Sequence, residues 1–443
     1  MKRREFVRKS TLGAIGAVAS TSLLTSCGNK SEKLNLDAVP VPELYTKAPD
    51  GRPLKAGLIG CGNRGCGAAL NFVHAGDGLS IVALADAFQD KMDEAREKLA
   101  KNGIVVPDEN CFVGLDAYKK VIDSDVDVVL LCTPNVFRPE HFAYVVEKGK
   151  HCFCEKPAAV DPVGARKMIA LSRQADAKGL CCISGTIRRS QRDCIETYRR
   201  VAAGAIGEIV SAHVVRYTLQ HAYVTRKPGW SDMEYMLRNW YSFTCMNGDF
   251  IIEQFIHEID QMLWFCGGQH PVSAEAVGGC QRHITGDMYD NIAVEYVFEN
   301  GHRACCMSRQ INDCDTSKKI LVYGTKGYTD CVGTIYNLDG TVKWQYPYPE
   351  KDEKDSPNAI VSGYDEEHMR LVAAIRKGEH LNDLENMIQS NIVAMMGREA
   401  SYTGKFIKWD EFIASDLNLT PDSFEFGPIE GFSEKPPVMG EER

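Results

Sequence analysis

The sequence predicts an α/β chain of two domains: a parallel sheet layered with helices, then an α+β region built on a large, mainly antiparallel sheet. Three observations predict it. A short apolar strand, Lys55-Ala56-Gly57-Leu58-Ile59, runs into the glycine-rich turn Gly60-Cys61-Gly62-Asn63-Arg64-Gly65 and then into a helical stretch from Ala68 to Ala75. Strand and helix patterns then alternate to residue 184, as parallel strands joined by crossover helices require. Beyond that point strand-like runs dominate, and two of them flank Asn300-Gly301, a hairpin-turn pair.

The 443 residues are 44% hydrophobic and 25% charged, ordinary values for a folded chain. Single cores stop growing at roughly 250–300 residues, so two domains are expected. The formal charge of −9 with no long basic run excludes a nucleic-acid-coating role and leaves a small molecule as the expected partner. The 17 cysteines are odd in number and include no C-x-x-C pair, so most read as buried thiols, with a disulfide at Cys305 or Cys314 left open.

In chain order, residues 1–26 read as a signal peptide: Lys2, Arg3, Arg4, Arg8 and Lys9 precede a mildly apolar stretch from Leu12 to Leu24, too short to span a bilayer. Residues 27–52, rich in Lys, Ser, Glu, Asp and Pro, read as a tether. In the first domain, 53–184, a second strand from Leu79 to Ala85 ends at Asp86. It is followed by helix Asp90 to Lys101, strand Val126 to Leu131, helix Arg138 to Lys148, strand His151 to Cys154, helix Pro162 to Lys178 and strand Leu180 to Ser184. The second domain, 185–380, carries strands Glu208 to Leu219, Pro271 to Gly278, Asn291 to Phe298, Arg303 to Gln310 and Lys319 to Tyr323, then a helix from Glu366 to Arg376. Residues 381–443 supply a further helix, Leu384 to Tyr402, and a tail.

The chemistry follows from the strand ends. A strand, a glycine turn and a helix let a backbone approach a pyrophosphate at a helix N-terminus. An acid about 20 residues further on, here Asp86, accepts ribose hydroxyl protons and repels a 2′-phosphate, which favours NAD over NADP. The turn residues Gly60, Gly62, Asn63, Arg64 and Gly65, with Asp86, Thr133, Asn135 and Glu155 at later strand ends, are therefore the candidate cofactor contacts. Glu155-Lys156-Pro157 places an amine in the same crevice, where it can polarise a carbonyl or bind a hydroxyl. A continuous helix from Asp249 to Trp264 would put Glu253, His257 and Asp260 on one face, fit for proton transfer. No second His or Cys cluster completes a ligand set, so no metal is expected.

With these motifs in this order the chain resembles the glucose-fructose oxidoreductase and inositol dehydrogenase family (Gfo/Idh/MocA). The resemblance runs from about Lys55 to Leu417 and includes Arg238-Asn239-Trp240-Tyr241, Gly248-Asp249, Ile256-His257-Glu258-Ile259-Asp260 and Thr403-Gly404-Lys405. It implies a Rossmann domain and an open-faced antiparallel sheet roofing the nicotinamide. It also implies Lys156 and His257 as the catalytic pair, with Asp260 orienting the imidazole or completing a polyol site. Glu253 stands where inositol dehydrogenase-like members carry aspartate. Arg238, Trp240 and Tyr241, with flat faces and hydrogen-bond donors, are the candidate sugar contacts.

The arginine pair with Phe6 resembles a twin-arginine signal and Leu24-Thr25-Ser26-Cys27 a lipobox, implying an exported periplasmic or cell-envelope lipoprotein held to the membrane only by a lipid on Cys27. Because free NAD is scarce outside the cytoplasm, the expected activity is oxidation of a ring hydroxyl of a sugar or glycoside by tightly bound NAD, with glycoside 3-oxidation as one form of it. A redox-neutral NAD-dependent glycosidase or lyase is the alternative, and a non-catalytic sugar- or nucleotide-binding lipoprotein a second one. An open sheet face leads us to expect a homo-oligomer, dimer or tetramer.

Overall fold

The computed structural model describes residues 34–350 and 361–441. The expected signal peptide, Cys27 and the first part of the tether lie outside the described residues.

The first sheet is built from β1 (Leu54–Ile59), β2 (Leu79–Asp86), β3 (Cys111–Val113), β4 (Val128–Leu131), β5 (His151–Cys154) and β6 (Cys182–Ser184), connected by α1 (Asn63–His74), α2 (Gln89–Ala100), α3 (Ala117–Asp123), α4 (Arg138–Glu147) and α5 (Pro162–Ala177). All its strands are parallel, in the order β3-β2-β1-β4-β5-β6. The order reverses at β1, so the turn after β1 opens at the switch point where dinucleotides bind in such sheets. The helices on both faces explain why β4 is apolar and buried throughout. The three-residue β3 and the one-sided α3 were not expected, since neither is long enough to show a period.

The second region carries α6 (Arg192–Ala202), β7 (Ile209–Thr218), α7 (Asp232–Arg238), α8 (Thr244–Asn247), α9 (Phe250–Glu253) and α10 (Ile256–Phe265). There follow β8 (Ser273–Gly279), β9 (Asn291–Val297), β10 (Arg303–Gln310), β11 (Ser317–Gly324), β12 (Gly327–Thr329), β13 (Thr334–Tyr336) and β14 (Val342–Gln345). The described chain ends with α11 (Gly363–Lys377), α12 (Leu384–Thr403), β15 (Ile407–Lys408) and α13 (Trp409–Ile413). The sheet order is β14-β13-β12-β11-β7-β10-β9-β8-β15, antiparallel except for the β7–β10 pair. Gly301 takes a left-handed φ of +86° and closes the β9–β10 hairpin. Ala212 and Val214 of β7, Val294 and Tyr296 of β9 and Ala304 and Cys306 of β10 face a core shared with α10 and α12, while the alternate residues form the open side.

Two expectations change. The tether is not free as far as residue 52: from Leu36 onward it lies on the body. Ala48 is buried and its N–H bonds the Ala75 carbonyl at 2.7 Å. Arg199 holds the Leu36 carbonyl at 2.9 Å, and Arg192 holds that of Tyr45 at 2.8 Å. Fixed side-chain donors on backbone carbonyls outweigh the local preference of a Pro-rich segment for solvent.

The helix expected over 249–264 is in fact two, α9 and α10, broken at Gln254-Phe255. Phe255 bonds back to Phe250 as well as starting the bonds of the next turn, a local widening of the helix. The other late helix, α11, packs on the first sheet's side, since Met369, Leu371 and Val372 join the core of Leu54, Leu58 and Phe72.

Candidate active site

A cavity of about 760 Å³ opens at the switch point, walled by Gly60 to Cys66, Asp86 to Phe88 and Thr133 on one side and by His221, Trp240, Tyr241 and Gln254 on the other. Each glycine of the turn has a distinct reason. Gly60 has φ +92°, and a Cβ there would meet the Cys132 carbonyl at 2.7 Å. A Cβ on Gly65 would lie 1.9 Å from the Gly60 oxygen, so this position fixes helix against strand. A Cβ on Gly62 meets nothing within 4 Å. The space kept open there is what a pyrophosphate at the α1 N-terminus needs.

Asp86 sits at the rim, its carboxylate accepting the N–H groups of Cys61 (2.8 Å) and Phe88 (3.0 Å), and burial raises its pKa. This acid, the open space at Gly62 and the turn fit a dinucleotide with an unphosphorylated ribose. Thr133 lines the cavity, as expected. Asn63 does too, with Lys98 at 3.3 Å on its side-chain oxygen.

Three expected contacts are placed otherwise. Asn135 is fully buried, donating to the Asn247 carbonyl at 2.6 Å and accepting from Arg138 at 2.8 Å, so it joins the two domains rather than facing the cavity. Arg64 touches the cavity, but its guanidinium bridges Glu155 and Glu367, the latter at 3.0 Å. Glu155 is spent on that ion pair and on its neighbour's N–H at 2.8 Å, because a carboxylate this buried needs a cation. Arg238, expected against the sugar, does line the cavity, on the side of Asp86: it stacks 3.9 Å over Phe88 and pairs with Asp90 at 2.9 Å.

Lys156, Glu253 and Tyr241 come together at the cavity wall formed by Tyr241, with His257 close enough to feel the Lys156 charge. The Lys156 ammonium, 8% exposed, donates to the Glu253 carboxylate at 2.8 Å and also to its main-chain carbonyl. The other Glu253 oxygen accepts from the Tyr241 hydroxyl, which in turn accepts from Gln254. Burial pushes the Glu253 carboxyl up, but the Lys156 charge and these hydrogen bonds outweigh it and hold the pKa low. Tyr241 is pushed well above its ordinary range by burial and the Glu253 charge. Tyr241 and Gln254 are walls of the cavity, whereas Lys156, Glu253 and His257 lie behind them. His257 follows the break between α9 and α10. Burial first, and then the charges of Lys156, Arg216, Lys318 and Arg188, hold its pKa well below 6.5, so the imidazole is neutral and able to accept a proton.

Asp260 does not orient that imidazole. Both its oxygens are taken by Arg189 (2.9–3.0 Å), and Ser390 adds a bond at 2.8 Å, because a carboxylate 1% exposed is stable only when paired.

His221 was missed. It lines the cavity, its ring centroid 3.7 Å from that of Tyr241, and its Nδ1 is buried without a partner. Burial lowers its pKa to about 4. Lying in an irregular segment after β7, it offered no periodic signal. Among the described residues, no group of three or more His, Cys, Asp or Glu is arranged to hold a metal ion, and the cysteines, Cys305 and Cys314 included, are free thiols.

Comparison with known proteins matches residues 54–182 to the model of an oxidoreductase family with an NAD-binding Rossmann fold, and residues 195–330 to the GFO/IDH/MocA C-terminal domain. A myo-inositol 2-dehydrogenase of Thermotoga maritima is 25% identical over 277 residues, 62% of this chain and 74% of that protein. A glycosyl hydrolase family 109 protein of Shewanella pealeana is 29% identical over 166 residues, 36% of this chain but only 34% of that protein. Among solved structures, the WlbA dehydrogenase of Bordetella pertussis, in complex with NADH and UDP-GlcNAcA, superposes with a TM-score of 0.61 at 18% identity, covering 81% of this chain and 99% of that one.

Proposed function

Because the chain belongs to the Gfo/Idh/MocA family of oxidoreductases with an NAD-binding Rossmann domain, we propose that it oxidises a ring hydroxyl of a sugar or glycoside with NAD that stays bound. The observation that carries the reading is the buried Lys156–Glu253 pair, bonded to Tyr241 in the wall of the cavity that opens at the glycine turn, with His257 close enough to feel the Lys156 charge. NAD, when bound, supplies the hydride acceptor. The turn Gly60 to Gly65 and Asp86 hold it. His257 takes the proton of the substrate hydroxyl. Lys156 keeps one of its three N–H groups beyond the two given to Glu253, and directs it at the same oxygen as negative charge develops there. Tyr241 and Glu253 fix the ammonium, so that it needs no reorganisation during the reaction.

Reduction of the bound cofactor is the test. Purified protein is mixed with a panel of inositols, sugars and methyl glycosides while the near-ultraviolet absorbance of reduced nicotinamide is followed. Reduction by at least one member supports the reading, and none, with bound NAD present in the denatured extract, rejects it. A second reading, redox-neutral glycosidic cleavage, takes support from the match to the Shewanella glycosyl hydrolase family 109 protein. Released aglycone without net reduction would favour it. Export as a lipoprotein belongs to the same proposal, since a retained cofactor is what an exported oxidoreductase needs. Mass spectrometry of the mature protein, showing a diacylated or triacylated Cys27 as its first residue, tests it.

A further inference from the structure

After α13 the chain runs from residue 414 to 441 without a helix or strand, and its path ties the two domains together. It is fixed first on the Rossmann side, where the Leu419 N–H donates at 2.9 Å to Asp161, the buried cap of α5. Phe424 and Phe426 come next. With one exposed residue, Glu425, between them, they can point to one side of an extended chain. The Phe424 ring lies 4.5 Å from that of Phe137, and the Phe426 ring stacks on that of Phe88 at 5.8 Å. Then the strap crosses to α7. The Gly427 carbonyl accepts the Met233 N–H at 3.2 Å and the Ile429 N–H donates to Asp232 at 3.0 Å. Beyond, Glu434 accepts from the hydroxyls of Tyr235 (2.8 Å) and Thr285 (3.0 Å) and from the Gly286 N–H (3.2 Å).

The two rings that receive the strap are walls of the cofactor cavity. Phe88 belongs to the loop after β2, and its N–H is one of those bonded to Asp86, at 3.0 Å. Phe137 closes the turn after β4 that begins at Thr133. Because β2 and β4 lie on either side of β1, these loops flank the glycine turn on its two sides. Neither Phe424 nor Phe426 lines the cavity itself, so each holds a wall residue and not the space within.

The strap is nevertheless not packed down along its length. Between it and α7 and α8 lies a second cavity of about 600 Å³, bordered by Met233, Met236, Cys245, Ile429 and Phe432. Phe426 is 52% exposed despite its stack. A segment with so little apolar surface to lose opens locally without unfolding the domains that it joins.

Resting on the reading that NAD stays bound, we infer that residues 418–436 are the latch that retains it. With Phe424 and Phe426 seated, the loops of Phe88 and Phe137 are tied to α7 in the arrangement that holds the dinucleotide, and release waits for the strap to lift. A strap that favours the NAD-holding arrangement is favoured by NAD in return, by the same factor.

The experiment uses the protein purified with its bound cofactor. Release is followed by chasing bound NAD with excess isotopically labelled NAD, so no sugar enters the assay. In Phe424→Ala/Phe426→Ala, which loses two aromatic pairs, NAD should leave roughly 10- to 100-fold faster than from the wild type. Hydrogen exchange gives the reciprocal reading: the Ile429 and Met233 amides should exchange about tenfold or more slowly in the loaded protein than in protein stripped of NAD, and the double variant should lose that difference. Should the double variant fail to fold, Glu434→Gln, which weakens the far anchor, provides the same comparisons with a smaller acceleration. Release at the wild-type rate from the variants overturns the inference, and so does strap exchange that is the same with and without NAD. A wild type that exchanges its NAD within seconds, with variants faster by the stated factor, upholds the latch and rejects retention as a property of the enzyme.

Discussion

Lys156→Met separates what the ammonium does for the fold from what it does for the reaction. Lys156 is 8% and Glu253 6% exposed, and their bond is 2.8 Å long. Removing one partner of a pair this buried leaves a carboxylate with only the Tyr241 hydroxyl, a loss of about 3–5 kcal/mol. For a chain of this length the entropy of unfolding makes each kcal/mol worth roughly 1 °C, so the melting temperature should fall by about 3–5 °C. Adding Glu253→Gln removes the stranded charge while keeping a partner for Tyr241. The double variant should recover at least half of the loss, as measured by scanning calorimetry. Turnover should not recover: without a donor at the reacting oxygen, cofactor reduction should be slowed about 10²–10³-fold in both variants. A single variant that melts with the wild type would refute the buried-pair argument. A double variant that regains turnover would refute the catalytic assignment, because the only thing restored would have been charge balance.

Other perturbations have equally specific outcomes. Gly62→Val adds atoms where nothing lies within 4 Å, so it should leave the melting temperature nearly unchanged yet abolish copurification of NAD; Gly65→Ala, whose Cβ would lie 1.9 Å from the Gly60 oxygen, should lower both, by about 1–3 kcal/mol in stability. Arg238→Ala removes the stack on Phe88 and should speed cofactor release several-fold in a chase with excess NAD, without altering the KM of the sugar. His141, buried between the rings of Tyr118 and Phe137, has its pKa lowered to about 3 by burial. Its folded pKa lies below the unfolded value of 6.5, so its contribution is complete above that pH and lost on acidification; His141→Gln should flatten the fall in stability between pH 7 and pH 5 by about 2 kcal/mol in denaturant titrations.

The cofactor end was the more legible part of the sequence because its constraints are local. Gly60, Gly62, Gly65 and Asp86 lie on one strand, one turn and the next strand, and covalent geometry carries their spacing into space. Asn135 and Glu155 had the same positional credentials, at the ends of β4 and β5, but the chain cannot announce that Asn247 and Arg64 will claim them. The break at Gln254-Phe255 was invisible because Ile251, Ile252, Phe255, Ile256 and Ile259 are all buried, so their apolar pattern reads through it. Asp260 fell on the expected face of the helix, yet whether it meets His257 or Arg189 depends on the turn at 187–190, some 70 residues away in sequence.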